Sequence, residues 1–409
     1  MKKSIIALII AASSFGAFAN GVTSGALPVA EFYKGYDVAS IPVDKLQSWP
    51  YISYTSMHIA DYMAFGVSDV SAANKPVQLK RATNEFDLNS EFKNGQSYIE
   101  NLISTQTKGF VVMQDNKIIA DFYDNGYAQG KINNLQSASK TYVGLVVSQL
   151  VDEGKIDLDA KIKTYLPGLE DSVIGDATVR EASVMGSGVE ALHDYHTPGS
   201  NGYLWEVEYG LQPNGTAIGH FEAIKASKAS EHAKGTAWDY TDVNTDTLTL
   251  IAEKVSGKTY PALLSELANK IGSHYGSEIV NTSDGTSASA FGINVSAVDF
   301  ALFHQYIAEG KAGDTFYKTV KDKSLDTLSM SPTGKAISGP NGPLQYGMQT
   351  YYLAEHDIIV SFGSFGQFGL SDPQTGASVI NQSDWSINAN TDKTADTLER
   401  SVKILKSLR

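Results

Sequence analysis

Leu135-Gln136-Ser137-Ala138-Ser139-Lys140-Thr141-Tyr142-Val143-Gly144 places a serine hydroxyl and a lysine amine three residues apart at the start of an apolar helix. Residues i and i+3 share a helix face, so the two groups can meet. The helix N-terminus beneath them favours an alkoxide over an alcohol. Residues 142–151 (Tyr-Val-Gly-Leu-Val-Val-Ser-Gln-Leu-Val) are apolar on nearly every side, which predicts a helix buried in the middle of a domain. Burial gives a lysine in the first turn reason to lose its proton and serve as the base for the serine.

Spacing alone does not decide the chemistry. The same pattern occurs at Thr105/Lys108 and Thr315/Lys318. An ordinary helix capped by Ser137 or Ser139, with Lys140 in solvent, reads the same on the motif alone.

Around this helix the chain reads as strand, helical middle, strand. Two alternating runs from Phe110 to Tyr123 flank Asp115-Asn116, the signature of a hairpin. Residues from 140 to about 310 read as helix and loop. From Tyr346 to Trp385, short runs rich in Phe, Tyr, Val and Ile return to strand character, and residues 394–408 form an amphipathic terminal helix. Strands at both ends with helices between predict an α+β fold: an antiparallel sheet built from both chain ends, flanked by helices, with an inserted helical lobe at about 165–310. The expected division is a leader at 1–19, an N-terminal extension at 20–105 packed on the rest, and a catalytic domain at 106–409. No internal repeat or low-complexity segment stands out.

The leader reading rests on Met-Lys-Lys, a short apolar core and Ala17-Phe18-Ala19, which together read as a secretory signal peptide cleaved before Asn20. Such a run is too short to span a bilayer. The expected location is outside the cytoplasm, in a bacterial periplasm. The chain carries a net charge of -13, and loss of Lys2 and Lys3 takes it to -15. That acidity argues against nucleic acid as a partner, since phosphate binding needs clustered basic residues. With no cysteine in the sequence, disulfides, thiol nucleophiles and Cys-zinc sites are excluded. His193 and His196 have the spacing of a helical metal pair, but a loop near Pro198-Gly199 is the better setting; no metal and no cofactor are expected. A Gly-x-Ser-x-Gly elbow, phosphate loops and dinucleotide fingerprints are also missing from the sequence.

Several motifs in order carry a resemblance. The hairpin strands Gly109-Phe110-Val111-Val112 and Ile118-Ile119-Ala120, the Ser137–Lys140 motif, Val151-Asp152-Glu153-Gly154-Lys155-Ile156-Asp157-Leu158-Asp159, Thr178-Val179-Arg180, Lys234-Gly235-Thr236-Ala237-Trp238-Asp239-Tyr240-Thr241-Asp242 and Gly363-Ser364-Phe365-Gly366-Gln367 resemble the serine hydrolases related to class C β-lactamases. Within them the chain looks most like the 6-aminohexanoate-dimer hydrolase and carboxylesterase branch, over roughly residues 107 to 385. The resemblance implies an acyl-serine mechanism in which Ser137 is the nucleophile, Lys140 its base and Tyr240 the group that gives a proton to the leaving group. It implies an oxyanion hole from the backbone N–H groups of Ser137 and Ser364. It also places Tyr195, Asp242, Ser361 and Gly363 at the substrate.

Two departures from the family pattern narrow the substrate. Where the family has Tyr-x-Asn, this chain has Tyr240-Thr241-Asp242, and where β-lactamases carry Lys-Thr-Gly, it has Ser361-Phe362-Gly363. An added carboxylate and a lost lysine both disfavour anionic substrates, and penicillins and cephalosporins are anions. The expected function is hydrolysis of a small ester or amide. The alternatives are a D-amino-acid peptidase or DD-carboxypeptidase-like enzyme, and a non-catalytic cell-wall peptide-binding protein on the same scaffold. Oligomeric state is not readable from the sequence.

Overall fold

The computed structural model describes residues 41–42, 45–82, 85–322, 328 and 339–409. The leader expected at 1–19, with its cleavage point before Asn20, lies outside the described residues.

The hairpin forms as the turn chemistry requires. Strands Thr107–Gln114 and Lys117–Tyr123 pair with Gln114 opposite Lys117. The two loop residues, Asp115 and Asn116, take φ of 53° and 57°, a left-handed conformation that Asp and Asn tolerate better than most residues. Strands from the C-terminal end complete an eight-stranded sheet. Its order is Leu344–Gly347, Thr350–Leu353, Ile358–Gly363, Gln367–Asp372, Ala377–Ser383, Thr107–Gln114, Lys117–Tyr123 and Lys80–Arg81. Every pairing is antiparallel except the last, a two-residue parallel edge.

The central strands are buried from end to end, as a sheet covered on both faces demands. The terminal helix Thr391–Ser407 covers one face through Leu398, Val402 and Leu405. Within that layer Arg400 is fully buried; its guanidinium donates to Asn101, to Thr105 Oγ1 at 3.2 Å and to Asn381 at 2.6 Å, and burial pulls its pKa down to about 9. The other face carries the helices Ala297–Ala308 and Lys140–Asp152. All residues of the latter are buried from Lys140 to Ser148, so the expected central helix is present.

A second sheet did not emerge from the sequence pattern. Val67–Val70, Ser277–Val280, Ile293–Ser296 and Ile132–Asn134 pair antiparallel in that order. These strands are only three or four residues long, too short for period-2 alternation to show. The first belongs to the N-terminal segment, and Ile41, Leu46, Tyr54 and Met57 of that segment share the main hydrophobic core. The segment is also tied down by a buried ion pair: Lys108 Nζ lies 2.6 Å from Asp384 and donates to Ser56 Oγ at 2.7 Å. Desolvation pushes both ionisable groups toward neutrality, Lys108 down and Asp384 up, and their mutual attraction opposes it. No helix among the described residues is long and apolar enough to cross a membrane.

Candidate active site

The strand Ile132–Asn134 leads directly into the turn that carries Ser137. Leu135 N–H donates to Ile293 O at 2.8 Å, and Gln136 N–H donates to the Asn134 side chain at 3.0 Å while Gln136 itself takes φ of +51°. Ser137 then sits in a 3₁₀ turn, Gln136–Ser139, that runs straight into the helix Lys140–Asp152. The sequence placed Ser137 and Lys140 on one α-helical face. A 3₁₀ turn brings i and i+3 into closer alignment, since it has three residues per turn. In this turn Ser137 keeps part of its surface open while Gln136, Ala138 and Ser139 are buried.

Lys140 is 1% exposed, and its nitrogen is surrounded by acceptors. Nζ donates to Ser137 Oγ at 3.2 Å and to Ala290 O at 2.9 Å, and it lies 2.7 Å from Asp242 Oδ1. An ammonium has three donors, and here three oxygens meet it. The lysine is therefore buried as expected, but it faces a carboxylate as well as apolar walls.

Tyr240 closes the other side. Its ring centroid is 4.8 Å from Lys140 Nζ, and its hydroxyl interacts with Ser137 and Tyr351. Burial, assisted by the charge of Asp242, holds the phenol well above its ordinary pKa, so it carries its proton. Trp238 and Tyr346 pack around the ring, with centroids at 5.1 and 6.4 Å.

The strand Ile358–Gly363 presses on the Ser137 turn. A Cβ at position 363 would fall 2.2 Å from Leu135 O and 3.0 Å from Ala138 N, so only glycine lets the strand end this close to Ser137. Ser364 follows in sequence and is partly exposed.

Ser361 departs from the expected substrate-binding role. It is fully buried, with Oγ 2.8 Å from Thr141 Oγ1 and 2.9 Å from His304 Nε2. Side chains alternate across a strand, and this position points with Gly363 into the helix layer. His304, sealed there, is pushed down to about pKa 3 by burial. The family motif locates this strand correctly, but its first residue here is a packing hydroxyl.

Tyr195 lies near the charges of Asp242 and Glu206, and burial raises its pKa. Glu206 was not apparent in the sequence, because a lone Glu on the helix Asn201–Glu208 reads as a solvated face. In the structure burial lifts its pKa to about 7, with Asp242 adding to the effect, while Gln212 Nε2 donates to its Oε2 at 2.6 Å. The same Gln212 nitrogen donates to Tyr195 O at 3.0 Å, locking the two groups side by side.

Asp246 is a second residue the sequence did not reveal. It lies one turn beyond Asp242 on the helix Asp242–Ser256 and is buried. It accepts from Tyr209 Oη at 2.6 Å, Ser289 Oγ at 2.7 Å and Ala290 N at 3.0 Å, with His220 Nε2 at 3.0 Å. Ala290 is the residue whose carbonyl takes a hydrogen bond from Lys140, so Asp246 fixes the platform on which the lysine rests. The Tyr209 hydroxyl also reaches Asp242 at 3.5 Å. The partners come from the ends of two other helices and a loop distant in sequence, which left no local signal.

His193 and His196 are exposed, and among the described residues no group of three His, Asp or Glu side chains is arranged to hold a metal ion.

Residues 99–380 match the Beta-lactamase family. The chain belongs to that family. This serine hydrolase is 25% identical over 298 residues to the 6-aminohexanoate-dimer hydrolase of Paenarthrobacter ureafaciens, covering 70% of this chain and 74% of that protein. Among solved structures, "Putative 6-aminohexanoate-dimer hydrolase from Bacillus anthracis" superposes with a TM-score of 0.79 at 19% identity, over 91% of this chain and 99% of the other. A D-stereospecific amidohydrolase from Streptomyces sp. gives a TM-score of 0.53 at 15% identity, over 72% and 94% of the two chains. At these identities the structural likeness speaks for the fold.

Proposed function

We propose that this serine hydrolase is exported and opens an ester or amide bond through an acyl-Ser137 intermediate. The observation that carries the reading is the convergence on Ser137 of Lys140 at 3.2 Å and the Tyr240 hydroxyl, with Asp242 behind the lysine. In its neutral amine form Lys140 takes the serine proton, and the Asp242 carboxylate stabilises the ammonium that results. The alkoxide attacks the carbonyl carbon. The backbone N–H groups of Ser137 and Ser364 receive the oxyanion, each such donor contributing roughly 10²–10³ in rate. Tyr240, kept protonated by its surroundings, gives its proton to the departing alcohol or amine. Water then attacks the acyl-enzyme with the same groups acting in reverse.

The Asp242 carboxylate, joined by Glu206 where the pH is high enough to ionise it, favours neutral or cationic substrates over anionic ones. An amide bearing an amino group fits this field, as the name of the Paenarthrobacter relative suggests. Reaction with a fluorophosphonate, followed by peptide mapping, tests the reading: the label belongs on Ser137, and a label elsewhere or none overturns it.

A further inference from the structure

A cavity of about 450 Å³, within the range of small-molecule sites, connects to the site through Tyr195, which lies near Asp242 and Tyr240, and through Phe365, the residue after Ser364. Its walls come from three separate segments. Tyr195 and Glu206 belong to the helical lobe, Phe365 and Ile387 to the loops at the end of the large sheet, and Leu46 and Trp49 to the N-terminal segment. Residues 46–49 fall outside the stretch matched by the family, which begins at 99. We infer that residues 46–49 form the size-selecting wall of the substrate cleft, with Trp49 limiting the length of an unbranched aliphatic chain carried by the substrate.

The wall is firmly built. Leu46 is buried in the main core, and its carbonyl accepts from Thr55 Oγ1 at 2.5 Å. Ser48 N–H bonds to Lys45 O, and Ile52 N–H bonds to Ser48 O, both at 2.9 Å. A few residues on, Ser56 O receives Asn134 N–H at 2.7 Å, which joins the segment to the strand that leads into Ser137.

The facing wall hangs from the same anchor. Lys108 holds Ser56 at 2.7 Å and Asp384 at 2.6 Å, and Asp384 is followed within four residues by Ile387 and Asn388. Asn388 O in turn accepts Phe365 N–H at 2.8 Å, one residue beyond Ser364. Lys108 therefore ties together the two segments that carry these sides of the cavity. A gap held from the interior discriminates by length, because neither side can give way cheaply.

The chemistry of the lining fits the same ligand. The lining is mixed: Leu46, Trp49, Phe365 and Ile387 offer apolar surface for methylenes, between polar groups that include Glu206, Gln212 and Asn388. The inference rests on Ser137 being the nucleophile, and its test separates the two readings.

Two substrate series should be measured on the full-length enzyme: p-nitrophenyl acyl esters from two to eight carbons, and acetate esters of 1-alkanols over the same lengths. Trp49→Ala should raise the ratio of kcat/KM for the longest to the shortest member by about tenfold in one series, as expected for space worth one or two methylenes. Ile387→Trp adds bulk on the facing side at a residue 53% exposed, where folding is not at stake, and should move the same ratio in the opposite direction. If both variants leave both length profiles parallel to wild type, the wall has no selecting role and the inference fails. Absence of fluorophosphonate labelling at Ser137 in wild type overturns the underlying function instead. A labelled wild type with unmoved profiles overturns only the inference.

Discussion

Lys140 Nζ stands 2.7 Å from Asp242 Oδ1, so the proposed base faces a carboxylate where the family pattern offers an amide. Opposite charges at this separation interact strongly when partly shielded from water, and Asp242 retains only 15% side-chain exposure.

That pairing makes a prediction about substrate charge. Asp242→Asn restores the family triplet and removes one negative charge beside Ser137. The preference for neutral over anionic substrates, read as the kcat/KM ratio of p-nitrophenyl acetate to nitrocefin, should fall by about tenfold or more. An unchanged ratio would show that Asp242 plays no part in excluding anions.

Covalent labelling separates the nucleophile from its base. Ser137→Ala should abolish reaction with a fluorophosphonate. Lys140→Ala should slow it by at least about 10²-fold, since an unassisted serine hydroxyl is a poor nucleophile at neutral pH. A Lys140→Ala protein that labels at the wild-type rate would remove the lysine from the mechanism.

Tyr240→Phe keeps the ring that packs on Trp238 and removes only the hydroxyl. An amine must be protonated to leave and a nitrophenolate need not be. The loss should therefore approach about 10²–10⁴ on an amide and be smaller on a p-nitrophenyl ester. Equal losses would assign Tyr240 to positioning alone.

The buried acid at 206 predicts a pH dependence. A free Glu titrates near about 4.3, and in the fold burial lifts Glu206 to about 7. A raised carboxyl pKa means that the folded protein holds the proton more tightly than the unfolded chain. Its contribution is thus favourable at low pH and is lost as pH rises from the unfolded value to about 7, by at most about 4 kcal/mol. Glu206→Gln should flatten that part of the stability curve, measured by denaturant unfolding between pH 5 and 8. For an amine-bearing amide, wild-type KM should rise as pH falls below about 7 and the variant's should not; identical curves would place Glu206 outside the site.

The parts of the site legible in the sequence were those encoded at short range. Ser137 and Lys140 are one turn apart, Asp115-Asn116 announces its own hairpin, and the glycine at 363 marks a close approach. Asp246 and Glu206 were not legible, because their meaning lies in partners such as Tyr209, His220, Ser289 and Gln212 that meet them only after folding. Ser361 was misread for a related reason. The motif fixed its place along the strand, but the strand's alternation turned it toward His304.

The close seating of Gly363 on the Ser137 turn carries a kinetic consequence. Residues 137 and 364 are separated by more than half the chain, and the segments that bring them together lie near opposite ends of it. Contacts of such long sequence separation are costly to close and form late. Reactivity toward a fluorophosphonate should therefore lag behind recovery of helical signal during refolding, and neither half of a chain cut in the helical lobe should react by itself. On the proposed mechanism, Ser137 stays unarmed until the strand Ile358–Gly363 is in place, which spares a half-folded chain from being acylated by whatever reactive carbonyl it meets.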